Sequence, residues 1–183
     1  MQKEITDRIP VSVTGIIENW IRPYHVIFRI KNGRKSKLGD YRSPIKSGHP
    51  HIISINRDLG SLSFLITLTH EIAHLLVSVN HNHRVTPHGE AWKKTYRALM
   101  SELYNHDVFP ESMHHVIRSH ISRAPSSTSR DQNLVKALRE IEQPDSIILD
   151  DLQRDSLFTA GDSRVFRKGE KLRSRYKCVC LDN

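Results

Sequence analysis

The stretch Ser61-Leu62-Ser63-Phe64-Leu65-Ile66-Thr67-Leu68-Thr69-His70-Glu71-Ile72-Ala73-His74-Leu75-Leu76-Val77 decides how this chain is read. Leu62, Leu65, Ile66, Thr69, Ile72, Ala73 and Leu76 recur at three- and four-residue steps, which places them on one face of a helix. The apolar run from Phe64 to Val77 is interrupted by Thr67, Thr69, His70, Glu71 and His74, so it falls short of the ~18 uninterrupted apolar residues that a bilayer span requires. The expectation is the central helix of a soluble core, carrying polar groups that need partners.

Those groups are His70-Glu71-Ile72-Ala73-His74. Residues four apart on a helix stack on one face, so both imidazoles can reach one ion while the carboxylate beside the first stands next to it. Zinc suits nitrogen donors of this kind. Bound by neutral imidazoles it keeps its positive charge, acidifies a water to a pKa of ~7 and polarises a carbonyl, with Glu71 as the base that takes the water's proton. The string also arises by chance in a chain with 12 histidines. An unpaired histidine or glutamate on so apolar a helix would, however, be costly to desolvate.

A catalytic zinc needs a third protein ligand and an open fourth position. The metzincin pattern would place Gly at 77 and His at 80, where this chain has Val77 and Asn80. His81 and His83 sit in a polar loop and read as solvated. His88 opens the string His88-Gly89-Glu90-Ala91-Trp92 at the start of the next helical pattern, with Gly89 allowing close backbone approach and Trp92 packing the helix one turn later. Glu90 is the competing ligand.

Lys37-Leu38-Gly39-Asp40-Tyr41-Arg42, Ile53-Ser54-Ile55-Asn56, His70-Glu71-Ile72-Ala73-His74 and His88-Gly89-Glu90-Ala91-Trp92 resemble, in order and spacing, the SprT-like family across roughly residues 20 to 105. The resemblance implies an α+β fold of the small zincin-like (minigluzincin) type, with a short antiparallel sheet packed on two metal-bearing helices. It implies one Zn2+ held by His70, His74 and His88, with Glu71 as catalytic base. The family includes the eukaryotic Spartan proteases, which degrade proteins crosslinked to DNA, so a DNA-linked substrate and a role in DNA repair enter as expectations. Many relatives end in a zinc ribbon built from two cysteine pairs. Here only Cys178 and Cys180 occur, on one face of a strand, so no second zinc is expected.

Elsewhere, periodicity predicts a helix over residues 11 to 22, a strand over 24 to 30 entering a hairpin at Asn32-Gly33, a return over 35 to 41, and a third strand over 51 to 55. A helix begins near His88 with Trp92, Tyr96, Leu99 and Leu103 at core spacing, and another runs from 111 to 121 behind Pro110. The serine-rich segment 122 to 132 reads as a flexible linker, dividing a metallopeptidase domain (1 to 121) from a small basic appendage (133 to 183) with a short helix at 133 to 141 and strands near 164 to 166 and 172 to 181. His49, His51, His114, His115 and His120 read as ordinary polar residues.

The net charge of +8 is uneven. Residues 22 to 57 carry nine Lys or Arg against Asp40, residues 140 to 162 carry seven acids against Arg154, and residues 164 to 177 carry seven bases against Glu170. The two basic segments, 22 to 57 and 164 to 177, make DNA a candidate partner, and a solvated surface is the plainer explanation. A mixed-charge N-terminus without an apolar run and a chain with only two cysteines point to the cytoplasm, with no membrane partner and an open oligomeric state. The expected reaction is hydrolysis of a peptide bond in a protein strand added to a sheet edge near Ile52 to Ile55. The alternative is a DNA-associated binding protein with a structural zinc and no proteolysis.

Overall fold

The computed structural model describes residues 1–34, 36–81, 85–159, 163–173 and 175–182, and among them it separates two compact units, Met1–Glu142 and Gln143–Asn183. In the first, a short helix α1 (Lys3–Thr6) and an amphipathic helix α2 (Val11–Ile21) precede three strands, β1 (Val26–Lys31), β2 (Gly39–Arg42) and β3 (His51–Asn56). Helix α3 (Ser61–Asn80) follows, then α4 (Glu90–Asn105), a single 3-10 turn (Glu111–Met113) running into α5 (His114–Arg123), a second 3-10 turn (Thr128–Arg130) and α6 (Gln132–Glu142).

Helix α3 is the axis of this unit. Thirteen of its residues are buried, Leu62, Phe64, Leu65, Ile66, Ile72 and Leu75 among them, so this helix, whose length and average hydropathy alone would allow a bilayer span although polar residues interrupt it, is mostly enclosed by its own chain. At about 1.5–3 kcal/mol for each fully buried aliphatic or aromatic side chain, this helix is the largest contributor to the core. Its N-terminus begins at Gly60, which has no side chain to cap it. The carboxylate of Glu142, 80 residues on, takes that role, accepting the backbone N–H groups of Leu62 at 2.6 Å and Ser63 at 2.9 Å.

The sheet corrects three expectations. Strand order is β1-β3-β2: β3 pairs parallel with β1, Phe28 opposite Ile53, and antiparallel with β2, Tyr41 opposite Ile53. There is thus no hairpin at Asn32-Gly33, and the sheet is mixed rather than antiparallel. β3 is buried on consecutive residues, Ile53, Ser54, Ile55 and Asn56, which is the pattern of a strand covered on both faces. It is the central strand, so the edge that could receive a further strand is not at Ile52 to Ile55. β2 is the edge beside α3.

The division between units also moves. The expected linker at 122–132 lies inside the first unit, where Ala124, Thr128 and Asp131 are buried, and α6 packs there through Leu134 and Leu138. Serine content misled because the segment is anchored by polar bonds and only sparsely by apolar ones. The second unit is a small antiparallel sheet, β4 (Leu157–Thr159), β5 (Val165–Lys171) and β6 (Tyr176–Cys180), in that order. Its expected basic character is partly consumed internally: Lys168 is buried, its ammonium on the carbonyl of Leu152 and over the Tyr176 ring, and Lys171 pairs with Asp150.

Candidate metal centre

His70 and His74 stand one turn apart on α3, half-buried, with their rings facing α4. The third histidine comes from an unusual turn. His88 lies two residues before α4 and adopts a left-handed backbone, φ 58°, a conformation few non-glycine residues take and one at which histidine is enriched. The turn is closed by the Gly89 N–H on the Thr86 carbonyl at 3.0 Å, and this carbonyl would meet a Cβ on Gly89 at 3.0 Å. Gly89 therefore serves the turn that swings the imidazole back onto α3, rather than leaving room beside an ion. Glu90, the competing ligand, is exposed and pairs with Arg97 at 3.2 Å.

The three Nε2 atoms face one another at 3.1 Å (His70 to His88), 3.3 Å (His70 to His74) and 3.0 Å (His74 to His88). A neutral ring nitrogen is either donor or acceptor, so three of them cannot all satisfy one another by hydrogen bonds. A tetrahedral ion with ligands at ~2.0–2.1 Å sets its donors ~3.3 Å apart, within a few tenths of an ångström of these edges. Burial holds the protonated forms down. It is the main cause for His70, whose pKa falls to about 3 with the neighbouring His74 and His88 adding to it. The same cause takes His74 to about 4 and lowers His88 as well. All three therefore present free lone pairs at neutral pH, which is what a metal ligand requires. Together they could hold a metal ion. His81, exposed at the end of α3, is not part of the group, and His83 lies outside the described residues.

Glu71 faces the other side of the helix shoulder, toward β2, and is 6% exposed. Burial and then the nearby charge of Asp40 push its carboxyl up to about 8, opposed by Lys37 and by the Tyr41 backbone N–H that donates to it. A dication beside it would favour the ionised form. The ladder explains the Tyr41 contact. The Asn56 N–H bonds the Leu38 carbonyl at 2.9 Å, and antiparallel bonding pairs alternate, so the backbone groups of Gly39 and Tyr41 point off the outer edge of β2. A cleft of about 960 Å³ runs between β2 and the segment 126–130, with His70, Glu71, His74, His88 and Trp92 along it.

Trp92, 1% exposed on the first turn of α4, lies 4.6 Å, 5.3 Å and 4.7 Å from the rings of His70, His74 and His88. Tyr96 stacks on it at 4.8 Å and 13°, and the Tyr96 hydroxyl meets His120. His120 thus belongs to the surroundings of the site, although on sequence it reads as an ordinary polar residue. The signal that could have found it is its position on the apolar side of α5, one turn after Ile117.

Searches against curated proteins and against solved structures return no match. The family model for SprT-like proteins matches residues 23–115, just over half of the 183 residues and a span containing every residue of the histidine cluster. The chain belongs to the SprT-like family.

Proposed function

We propose that the protein is a zinc-dependent endopeptidase holding one Zn2+ through His70, His74 and His88, with Glu71 as its general base. The observation that carries this reading is the convergence of the Nε2 atoms of three histidines in an open cleft that also contains a buried carboxylate. A zinc ion held there would supply Lewis acidity, lowering the pKa of a water and polarising the scissile carbonyl. Glu71 would take a proton from the attacking water at its carboxylate and return it to the departing amine. The Tyr41 N–H and the fit of Gly39 against its side chain hold the carboxylate in one place.

Substrate binding follows from the edge of β2. The outward-facing backbone groups of Gly39 and the Tyr41 carbonyl offer bonds to an extended peptide laid along the cleft. Recognition of this kind reads backbone. The walls are rich in hydroxyls, Ser36, Ser43, Ser78, Ser126, Ser127 and Ser129 among them.

Proteins associated with or crosslinked to DNA are the substrates favoured by charge, since exposed Arg29, Lys31, Lys46 and Arg57 in segment 22–57 and Arg167, Arg173, Arg175 and Lys177 in segment 164–177 would gather the enzyme on a polyanion. A cytoplasmic enzyme fits the same reading. The experiment is to incubate the zinc-loaded protein with a loosely folded protein, with and without single- or double-stranded DNA, beside Glu71→Gln. Cleavage lost in the variant carries the reading, and stimulation by DNA carries its DNA-linked form. DNA binding without cleavage in both proteins would establish instead a binding module with a structural zinc.

A further inference from the structure

The imidazoles rest on a floor that has no hydrogen bond of its own. Trp92 contacts all three rings, yet its buried Nε1 has no partner among the described residues, so packing, and not a hydrogen bond, sets its position. The stacking partner, Tyr96, is fully buried and ends in a chain of short bonds: its hydroxyl is 2.8 Å from His120 Nε2, and His120 Nδ1 is 2.8 Å from Asp131 Oδ2. His120 and Asp131 are themselves 1% and 2% exposed.

Proton directions along this chain are determined. A carboxylate only accepts, so His120 donates from Nδ1. The neutral ring then accepts at Nε2, and the Tyr96 hydroxyl donates to it. Arg123 donates to the same Asp131 oxygen at 2.8 Å, and Asp131 Oδ1 caps α6 through the Leu134 N–H at 3.4 Å. The phenol oxygen lies on the long axis of its ring, so anchoring it fixes where the ring lies, while contact with Trp92 fixes its plane. The Asp131 backbone N–H also donates to the Thr128 carbonyl, at 3.1 Å, which ties the cleft wall at 126–130 to the same point.

We propose that Tyr96, His120 and Asp131 are positioning residues for the metal centre, setting Trp92 beneath the three imidazoles and holding the wall at 126–130 across from them. The proposal rests on the zinc reading above. A core network without this role would contribute stability alone. Groups that orient metal ligands change affinity by about ten-fold or more when removed.

The test is zinc affinity by competition with a chromophoric chelator, with the visible absorption of the Co2+ form as a second readout. Tyr96→Phe deletes one oxygen and keeps the stacked ring, so it folds. It is expected to bind zinc about ten-fold more weakly and to shift the Co2+ bands. His120→Phe, which strands the Tyr96 hydroxyl, is expected to do the same, and His120→Gln, whose amide oxygen can accept from Tyr96, to recover most of the affinity. Val13→Ala, in the core away from the cleft, should lower the melting temperature without moving affinity. Wild-type affinity and spectra in Tyr96→Phe and His120→Phe overturn the proposal, as does a wild type that binds no zinc. A wild type that binds zinc and cuts no protein overturns the peptidase reading only, and the affinities still decide this one.

Discussion

Gly39 lies so close over Glu71 that a methyl group in place of its hydrogen would stand 2.5 Å from the carboxylate Oε1 and 2.8 Å from the Cγ methylene of that side chain, and 2.8 Å from Thr67 Cγ2. Gly39→Ala therefore has to push β2 away from α3 or drive the Glu71 side chain aside. Overpacking of this kind costs about 1–3 kcal/mol, and an ångström of displacement at a catalytic group costs about 100-fold in rate. We expect kcat/KM to fall by one to two orders of magnitude while zinc affinity, set on the other side of the helix, changes by less than about three-fold. Full activity in the folded variant would show that the carboxylate has no fixed place to lose.

How much of this was readable in the chain depends on the range of the interaction. The His70-Glu71-Ile72-Ala73-His74 spacing and the apolar face around it are local, and α3 carries them as expected. His88 was legible as a residue but not as a left-handed turn, because φ 58° on a histidine is imposed by the Thr86–Gly89 bond and by the two rings it meets. The pairing of β1 with β3 in place of a hairpin is a long-range choice: Asn32-Gly33 has the composition of a tight turn, and register against the consecutive buried residues of β3 outweighs it. Asp131 and Glu142, in segments that read as linker and appendage, act on elements 11 and 80 residues away.

That last contact predicts where the first unit ends. Glu142 is the cap that Gly60 cannot be, accepting two N–H bonds at the start of the helix that carries His70 and His74. Glu142→Ala is expected to cost about 1–2 kcal/mol, several degrees in melting temperature, as read by thermal unfolding followed by circular dichroism. A fragment of residues 1–142 should melt cooperatively, and one of residues 1–121, stripped of Asp131, α6 and the cap, should not. Equal melting of the two fragments would restore the boundary at 122–132.

Acid should loosen the same region in a defined window. Burial lowers the His120 pKa from 6.5, with Arg123 in the same direction and Asp131 opposing. A group whose folded pKa lies below its unfolded value contributes stability that is complete above pH 6.5 and is lost as pH falls toward the folded value, because the unfolded chain takes up the proton first. Asp131, its ionised form desolvated but held by His120, Arg123 and the Leu134 N–H, is lowered from 3.8 on balance and adds a second loss only below that pH. In metal-free protein, chemical denaturation between pH 7 and pH 5 should give a shallower decline for His120→Gln than for wild type. Identical slopes would mean that His120 titrates alike folded and unfolded.

Metal removal separates ligand from scaffold. With zinc at about one hundred times its dissociation constant, binding stabilises the folded state by about 2.7 kcal/mol, or roughly 5–10 °C for a chain of this size, so chelation should lower the melting temperature by that amount and added zinc restore it. His88→Gly removes one imidazole and also relieves the left-handed strain, since glycine takes φ 58° without cost. Its metal-free form should therefore melt within a few degrees of the wild type, an offset of about 1 kcal/mol. The zinc-dependent rise should disappear, because two imidazoles on α3 bind the ion far more weakly than three. A zinc-dependent rise of undiminished size in His88→Gly would exclude residue 88 from the coordination sphere, and the geometry of the Thr86–Gly89 turn would then need another explanation.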